Sequence, residues 1–177
     1  DDDVAGITVS PIAGLTTTEA GGTATFTVVL RSQPHADVIV GVSSSDLAEG
    51  TVAPASLTFS AVDWNVPQTV TVTGVDDAVA DGSVAYTVLT ALAVTTDADY
   101  SGMDAADVAV TNTDNDVVGI TVTPIAGLTT SEAGGAATFT VELTSQPTAD
   151  VTIGVTSSNL TEGTVAPASL TFTAANW

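Results

Sequence analysis

The feature that most constrains this chain is an internal repeat. Residues 4–64 align without a gap to residues 117–177, and 46 of the 61 aligned positions are identical. The offset is constant at 113 residues, so that Trp64 pairs with Trp177. A period of this length is too long for one solenoid unit and fits a small domain. We therefore predict two like domains, a complete one over residues 1–116 and the first half of a second over residues 117–177.

The second copy has no counterpart of residues 65–113 in this sequence. A β-sandwich without its last strands would expose apolar core residues and unpaired strand edges. Two explanations remain open. Either the natural chain continues into further repeats, or another molecule supplies the missing strands, as in donor-strand completion.

Apolar residues alternate with threonine along much of the chain, which is typical of strands that bury one face. Gly- and Pro-containing turns separate these runs. Seven strands are predicted in repeat one, near residues 5–10, 22–31, 36–43, 56–60, 67–74, 83–94 and 106–112. This spacing predicts an all-β fold of two-sheet antiparallel β-sandwiches arranged in tandem. The predicted core comprises Phe26, Val28, Leu57, Phe59, Val70, Val72, Tyr86 and Val88.

The charge balance excludes several classes of function. The chain has 21 acidic residues and one basic residue, Arg31, for a formal net charge of −20. Such a chain cannot neutralise a nucleic-acid backbone and is unsuited to anionic lipid. No apolar run is long enough to span a membrane. With no cysteine and a single histidine, His35, most catalytic triads are impossible, and we expect no enzyme. The class of function that remains is the binding of hard cations, and calcium is the first candidate.

The acidic residues of repeat one concentrate where predicted strands end. Loops at one end of an antiparallel sandwich are neighbours in space, so carboxylates distant in sequence can share a cation. Two other readings are solvated turn aspartates and the general acidity of a salt-adapted protein. The first is disfavoured because no lysine balances the cluster, and carboxylates within about 6 Å raise one another's pKa. The second is disfavoured because salt-adapted proteins usually carry acids on their strand faces too, and the strand faces here are mostly threonine. The acids in question are Glu19, Asp46, Glu49, Asp76, Asp77, Asp81, Asp114 and Asp116.

Four segments together resemble the Calx-beta domain. They are Glu19-Ala-Gly-Gly before an alternating strand, Leu57-Thr58-Phe59, the Thr/Val strand that leads into Asp76-Asp77, and the closing Thr113-Asp114-Asn115-Asp116. Calx-beta domains occur in sodium–calcium exchangers and in tandem arrays on bacterial surface and adhesion proteins. The resemblance implies a seven-strand immunoglobulin-like sandwich that holds calcium at one end. The loop from Asp77 to Asp81 is less acidic than is usual in the family, which indicates one or two ions rather than four. The implied ligands are Glu19, Asp76, Asp77, Asp81, Asp114 and Asp116, with Glu49 in place of an acid before the fourth strand.

A second acidic motif, Asp97-Ala-Asp99-Tyr100-Ser101-Gly102, has the spacing of the first half of an EF-hand loop. Val108 stands at the twelfth position and no helices are predicted beside the motif, so a true EF-hand is rejected. A polar turn is the expected structure, and a lone calcium-binding loop is the alternative.

These observations predict a calcium-rigidified structural repeat of an extracellular adhesion or filament protein. We expect it on a bacterial surface or secreted, with adjacent repeats of the same chain as its partners. One alternative is a self-assembling fibre subunit that is completed by strands from a neighbouring molecule. A second alternative is a carbohydrate-binding module that uses Trp64, although this residue is expected to plug the edge of the core.

Overall fold

The computed structural model describes residues 3–177, which form thirteen strands and no helix. Positions 1 and 2, at the start of the predicted first domain, lie outside the described residues. The chain divides into two compact units. Unit 1 contains the residues up to Asp77 together with Gly82–Asn115, and unit 2 contains Ala78–Asp81 and Asp116–Trp177.

Unit 1 consists of two β-sheets. Its strands are β1 (Ile7–Ser10), β2 (Leu15–Thr18), β3 (Thr23–Leu30), β4 (Val38–Ser44), β5 (Gly50–Ala53), β6 (Ser56–Phe59), β7 (Gln68–Gly74), β8 (Val84–Thr90) and β9 (Val108–Thr113). One sheet has the order β1-β3-β7-β5 and the other the order β2-β9-β8-β4-β6. All neighbours are antiparallel except β2 and β9, which are parallel.

The core of unit 1 is built from the inward faces of these strands. Alternation is clearest on β7, where Val70 and Val72 are fully buried while Thr69 is exposed. Every predicted core residue lies in one buried cluster, and valine supplies most of the rest. Tyr100, with 1% of its surface exposed, is the largest fully buried side chain and was not predicted to be buried. The all-β, immunoglobulin-like sandwich predicted from the sequence is confirmed.

Two short strands were missed by the sequence analysis. β2 reads Leu-Thr-Thr-Thr, a sequence without apolar alternation. It is a strand because it pairs with β9, from Leu15↔Val110 to Thr18↔Thr113. β5 lies in what was read as a loop and pairs with β7. The predicted strand at 83–94 ends at Thr90, and Val94 makes only an isolated bridge to Ile39.

Unit 2 contains two pairs of strands. They are β10 (Ile120–Thr123), β11 (Thr140–Leu143), β12 (Val151–Gly154) and β13 (Ser169–Phe172). The pairings β10–β11 and β12–β13 repeat those of β1–β3 and β4–β6 in the same register, shifted by 113 residues. Ala78–Asp81 groups with this unit, where the Gln146 N–H donates to the Ala78 carbonyl at 2.6 Å.

Residues 3–177 include no helix that is long and apolar enough to cross a bilayer.

Candidate functional site

The parallel pair of β2 and β9 places Glu19 at one end of unit 1. The ladder ends at Thr18↔Thr113, and the next amide, that of Glu19, donates to the Thr113 carbonyl at 3.1 Å. Gly21 follows with a φ of 79°, in the left-handed region that glycine adopts without strain, and its N–H donates to the Thr18 carbonyl at 3.0 Å. This tight turn carries the chain from one sheet into β3 of the other and holds Glu19 beside the end of β9.

The Glu19 carboxylate is buried, with 3% of the residue exposed. Its Oε2 accepts a hydrogen bond from the backbone N–H of Asn115 at 3.1 Å. A carboxylate oxygen of Glu19 and one of Asp114 lie within 4.8 Å of each other. Burial raises the pKa of Glu19 above its ordinary value of 4.5, and the negative charges of Asp114 and Asp77 raise it further, while the Asn115 N–H opposes them.

Asn115 and Gly82 hold one further acid, Asp76, and the already described Asp114 at this end of unit 1. The side-chain amide of Asn115 donates to Asp76 Oδ1 at 3.2 Å. The Gly82 N–H donates to Asp114 Oδ2 at 2.6 Å. Asp76 is exposed to solvent and Asp114 is half-buried. The acidic pair after β7 and the acid after β9 are therefore held near Glu19.

Glu49 belongs to a neighbouring polar group that is centred on Asn112. The Asn112 side chain is 1% exposed, donates to Glu49 Oε2 at 3.3 Å and to the Val75 carbonyl at 3.0 Å, and accepts from the Thr17 hydroxyl at 2.9 Å. Burial of the phenol raises the pKa of Tyr86, the Thr17 hydroxyl opposes this, and the negative charge of Glu49, which is 8% exposed, raises the pKa further. Asn112 had no sequence signal beyond its place in a Thr/Val strand.

Unit 1 thus brings together Glu19, Asp76, Asp77 and Asp114, and it adds Asn115 as the residue that connects them. Asp81 and Asp116 group with unit 2. Asp81 is exposed and its N–H donates to the Val79 carbonyl at 2.8 Å, while Asp116 is half-buried. Asp46 caps its own loop, since its Oδ1 accepts from the Ala48 N–H at 2.9 Å.

The repeat supplies an internal comparison for this site. Glu132 aligns with Glu19 and Glu162 with Glu49, yet both are exposed in unit 2. Unit 2 has no counterpart of β7 or β9 among its strands. The burial of Glu19 therefore depends on the segments that follow β7 and β9 in unit 1, and a glutamate before β3 is not by itself a site.

The second acidic motif, residues 97–102, forms a turn that is capped by its first residue. Asp97 is 5% exposed, and its two carboxylate oxygens accept from the backbone N–H groups of His35 at 2.6 Å and Asp99 at 2.9 Å. These bonds lower the pKa of Asp97, with the His35 amide the largest cause. The His35 ring and Asp99 also lie within 4.8 Å of this carboxylate, and the ring is mostly exposed. Backbone capping accounts for the motif.

Trp64 packs against the core of unit 1 and is partly buried. Its carbonyl accepts a hydrogen bond from the Leu30 N–H at 3.1 Å. This position matches the expected plug at the edge of the core, and it leaves only part of the indole accessible to a sugar.

No protein-family model matches the chain, and no curated protein sequence matches it. Several solved structures are similar in fold. The periplasmic chaperone SfaE has a TM-score of 0.49 at 8% identity, over 62% of this chain and 58% of the chaperone, so the chain spans less than two thirds of it. The apo-form Calx CBD1 domain has a TM-score of 0.46 at 18% identity, over 62% of this chain and 96% of that one. A chaperone–tip adhesin complex of CFA/I fimbriae has a TM-score of 0.43 at 8% identity, over 95% of this chain and 79% of that one.

The chemistry of the unit 1 donors suits a hard cation. All of the charged donors are carboxylates, and the amide oxygen of Asn115 and nearby loop carbonyls are further oxygen ligands of the kind that calcium prefers. A buried carboxylate with a raised pKa beside other acids is stabilised either by a proton or by a metal ion. With Arg31 the only arginine or lysine in the sequence, a protein cation cannot serve all of these acids.

Proposed function

We propose that unit 1 is a calcium-stabilised structural module of an extracellular surface or adhesion protein, and that it has no catalytic role. The buried Glu19 beside Asp114 carries this proposal, because burial of a carboxylate next to another is costly unless a cation is shared. Glu19, Asp76, Asp77 and Asp114 would supply ligands from unit 1. Asp81, Asp116 and Glu49 stay as ligands expected from the Calx-beta resemblance. When bound, the ion would neutralise these acids and hold the loops after β2, β7 and β9 together.

Such an ion would act on stability. A ligand that binds only the folded state stabilises it by RT ln(1 + [L]/Kd), about 2.7 kcal/mol at a concentration one hundred times Kd. Extracellular calcium modules often have Kd values of about 10⁻⁴–10⁻³ M. Millimolar calcium would therefore make unit 1 stiffer and more stable outside a cell, which suits a spacer in a repeated array.

The test is calorimetry of the full chain with increasing calcium chloride. We expect Tm to rise by at least about 5 °C at saturating calcium. Sodium chloride at matched ionic strength is the essential control, because a chain of charge −20 is stabilised by any salt through screening. An equal rise with sodium chloride would assign the effect to screening and would contradict the calcium proposal.

A second candidate function is a fibre subunit in which strands from a neighbouring molecule complete unit 2. The observation that favours it is the exposure of apolar residues in unit 2 whose aligned partners are buried in unit 1. Phe139 is 37% exposed, whereas Phe26, its aligned partner, is 1% exposed. Sedimentation of the full chain over a range of concentrations tests it, since a fibre subunit forms assemblies larger than a dimer and a spacer does not.

A further inference from the structure

Unit 2 contains an apolar groove at the place where unit 1 holds its β7 strand. The groove has a volume of about 390 Å³ and is lined by residues 136–139 and 164–167, together with Val155 and Leu170. Val155 and Leu170 align with Val42 and Leu57, which are buried core residues of unit 1. The residues aligned with these in unit 1, at positions 23–26 and 51–54, belong almost entirely to β3 and β5. Those two strands are the neighbours of β7 in the sheet order β1-β3-β7-β5.

The secondary structure of unit 2 changes at the same residues. In unit 1, β3 begins at Thr23 and pairs with β7 from Thr23↔Thr73 to Val28↔Gln68. In unit 2 the aligned strand β11 begins only at Thr140, and residues 136–139 belong to no strand in the described chain. Residues 163–166, which align with β5, are likewise outside any strand. Every one of these positions, 136–139 and 163–166, aligns with a residue that pairs with β7 in unit 1.

Burial differs in the same way. Val42 and Leu57 are 4% and 2% exposed in unit 1, whereas their counterparts Val155 and Leu170 are only half-buried. Phe26 is opposite Val70 of β7 in the ladder, and Phe139 has no such neighbour in the described strands of unit 2. The lining of the groove thus includes Phe139, Ala137 and Val165, which align with the ladder neighbours of Val70 and Val72 in unit 1.

From this correspondence we infer that the groove binds an extended polypeptide strand with the β7 pattern, in which valine and threonine alternate. The bound strand runs antiparallel to β11 and to residues 163–166, and pairs with both. Its two valines point inward, at the positions of Val70 and Val72, and lie beside Phe139 and Val165 respectively, as Val70 and Val72 lie beside Phe26 and Val52 in the ladders of unit 1. The occupant is a polypeptide strand in which valine and threonine alternate. The groove is the binding site that the second candidate function, the fibre subunit, requires, and its occupation by a strand does not depend on calcium.

Backbone pairing supplies the affinity and the inward valines supply the register, as in other complexes formed by strand addition. A one-residue slip would point threonines into the groove and valines into water, so one register is favoured. Pairing would also extend β11 toward residue 136, because a strand forms where its ladder partner is present.

The probe is a labelled synthetic peptide with the sequence of Gln68–Val75, amidated so that it adds no negative charge. Its matched control carries Val70→Thr and Val72→Thr, which keeps the shape of both side chains and removes their apolar character. We expect the full chain to bind the first peptide at least about tenfold more tightly than the control, as measured by fluorescence anisotropy. Phe139→Ala should weaken binding of the first peptide, while Phe26→Leu, in the core of unit 1, should leave it unchanged.

Hydrogen exchange locates the bound peptide. We expect slower exchange of amides within 136–140 and 163–166, and no change within β3. Failure of the peptide to bind, equal binding of both peptides, or protection elsewhere would each overturn the inference. A concentration-dependent dimer that excludes the peptide would assign the groove to a second copy and overturn the proposed occupant. Peptide binding by a chain that stays monomeric in sedimentation would support the groove and count only against the fibre function.

Discussion

The carboxylate of Glu19 accepts a hydrogen bond from the backbone N–H of Asn115, 96 residues further along the chain, at 3.1 Å. This contact connects the turn before β3 to the segment that follows β9. Glu19 is buried at this point, and Asp114 and Asp77 add negative charge around it. The apposition of like charges at this end of unit 1 leads to the first two predictions.

Glu19→Gln is expected to remove calcium-dependent stabilisation of unit 1. Without calcium at pH 7 the variant should have the higher Tm, by roughly 3–8 °C, because it no longer buries a charge beside Asp114. With calcium in excess the order should reverse, because the wild-type chain gains a ligand that the variant lacks. Differential scanning calorimetry with and without calcium measures both values.

The control is Glu132→Gln, which removes the same charge at the aligned, exposed position in unit 2. It should behave as the wild-type chain does in both conditions. A calcium response that is equal in all three proteins would show that Glu19 does not contribute to cation binding.

The stability of unit 1 in the absence of calcium should fall as the pH rises through the pKa of Glu19. The folded-state pKa is raised above 4.5, so the folded chain holds this proton more tightly than the unfolded chain does. The resulting stabilisation is complete below the unfolded pKa and is lost above the folded one. The measurement is the difference in unfolding free energy between the wild-type chain and Glu19→Gln at several pH values. If this difference in unfolding free energy were the same at pH 4 and at pH 7, the predicted pH dependence would be contradicted.

Asn112→Leu should destabilise unit 1 by about 3 kcal/mol, because the substitution leaves buried polar groups of Thr17, Glu49 and Val75 without their hydrogen bonds to this side chain. Hydrogen exchange of the β8 amides reports the free energy of opening within unit 1. The matched control is Asn115→Leu, at an exposed position, which should cost less than about 1 kcal/mol in the absence of calcium. Equal losses in the two variants would mean that the Asn112 network is not a major contributor.

Tyr100→Phe should cost about 1–2 kcal/mol, although it removes only one oxygen atom. The hydroxyl donates to the Ser32 carbonyl at 2.7 Å, accepts from the Ser32 N–H at 3.1 Å and lies 2.9 Å from the Ser32 hydroxyl. Tyr86→Phe is the comparison, because the described contact of that hydroxyl is a longer one of 3.4 Å to Thr17. In urea denaturation, Tyr100→Phe should be clearly less stable than Tyr86→Phe. The opposite order would contradict the prediction that the hydrogen bonds of the Tyr100 hydroxyl to Ser32 stabilise unit 1.

Phe26→Ala and Phe139→Ala make the same chemical change at aligned positions of the two units. The first should cost about 3–5 kcal/mol, because it leaves a cavity in a packed core. The second should cost less than about 1 kcal/mol, because Phe139 is already 37% exposed. Thermal unfolding followed by calorimetry tests the contrast, which similar losses in the two variants would contradict.

Much of the fold could be predicted because alternation and burial agree. Val70 and Val72 of β7 were assigned to the core from period-two spacing alone, and both are fully buried. β2 could not be found in this way, because its threonines carry no alternation and its position depends on β9, more than 90 residues later. Tyr100 was missed for a similar reason, since it lies in a turn and is held by Ser32 at a separation of 68 residues.

The acids of the candidate site could be proposed from their places at strand ends, but their surroundings could not. Glu19 and Glu132 stand in near-identical local sequences, and only Glu19 is buried. The difference comes from segments that follow β7 and β9, which no local pattern around Glu19 reveals. Asn115 was visible only as part of an acidic string, whereas the structure gives it two hydrogen bonds to carboxylates, from its backbone to Glu19 and from its side chain to Asp76.

The parallel pairing of β2 with β9 has a mechanical consequence. These strands lie near the beginning and the end of unit 1, and they run in the same direction. Tension between the two termini would pull β2 toward its start and β9 toward its end, so the strands would be forced to slide past each other. Sliding loads the rungs from Leu15↔Val110 to Thr18↔Thr113 together, whereas peeling would break them one after another. A load that leaves unit 1 through β9 is therefore opposed by all of these rungs at once.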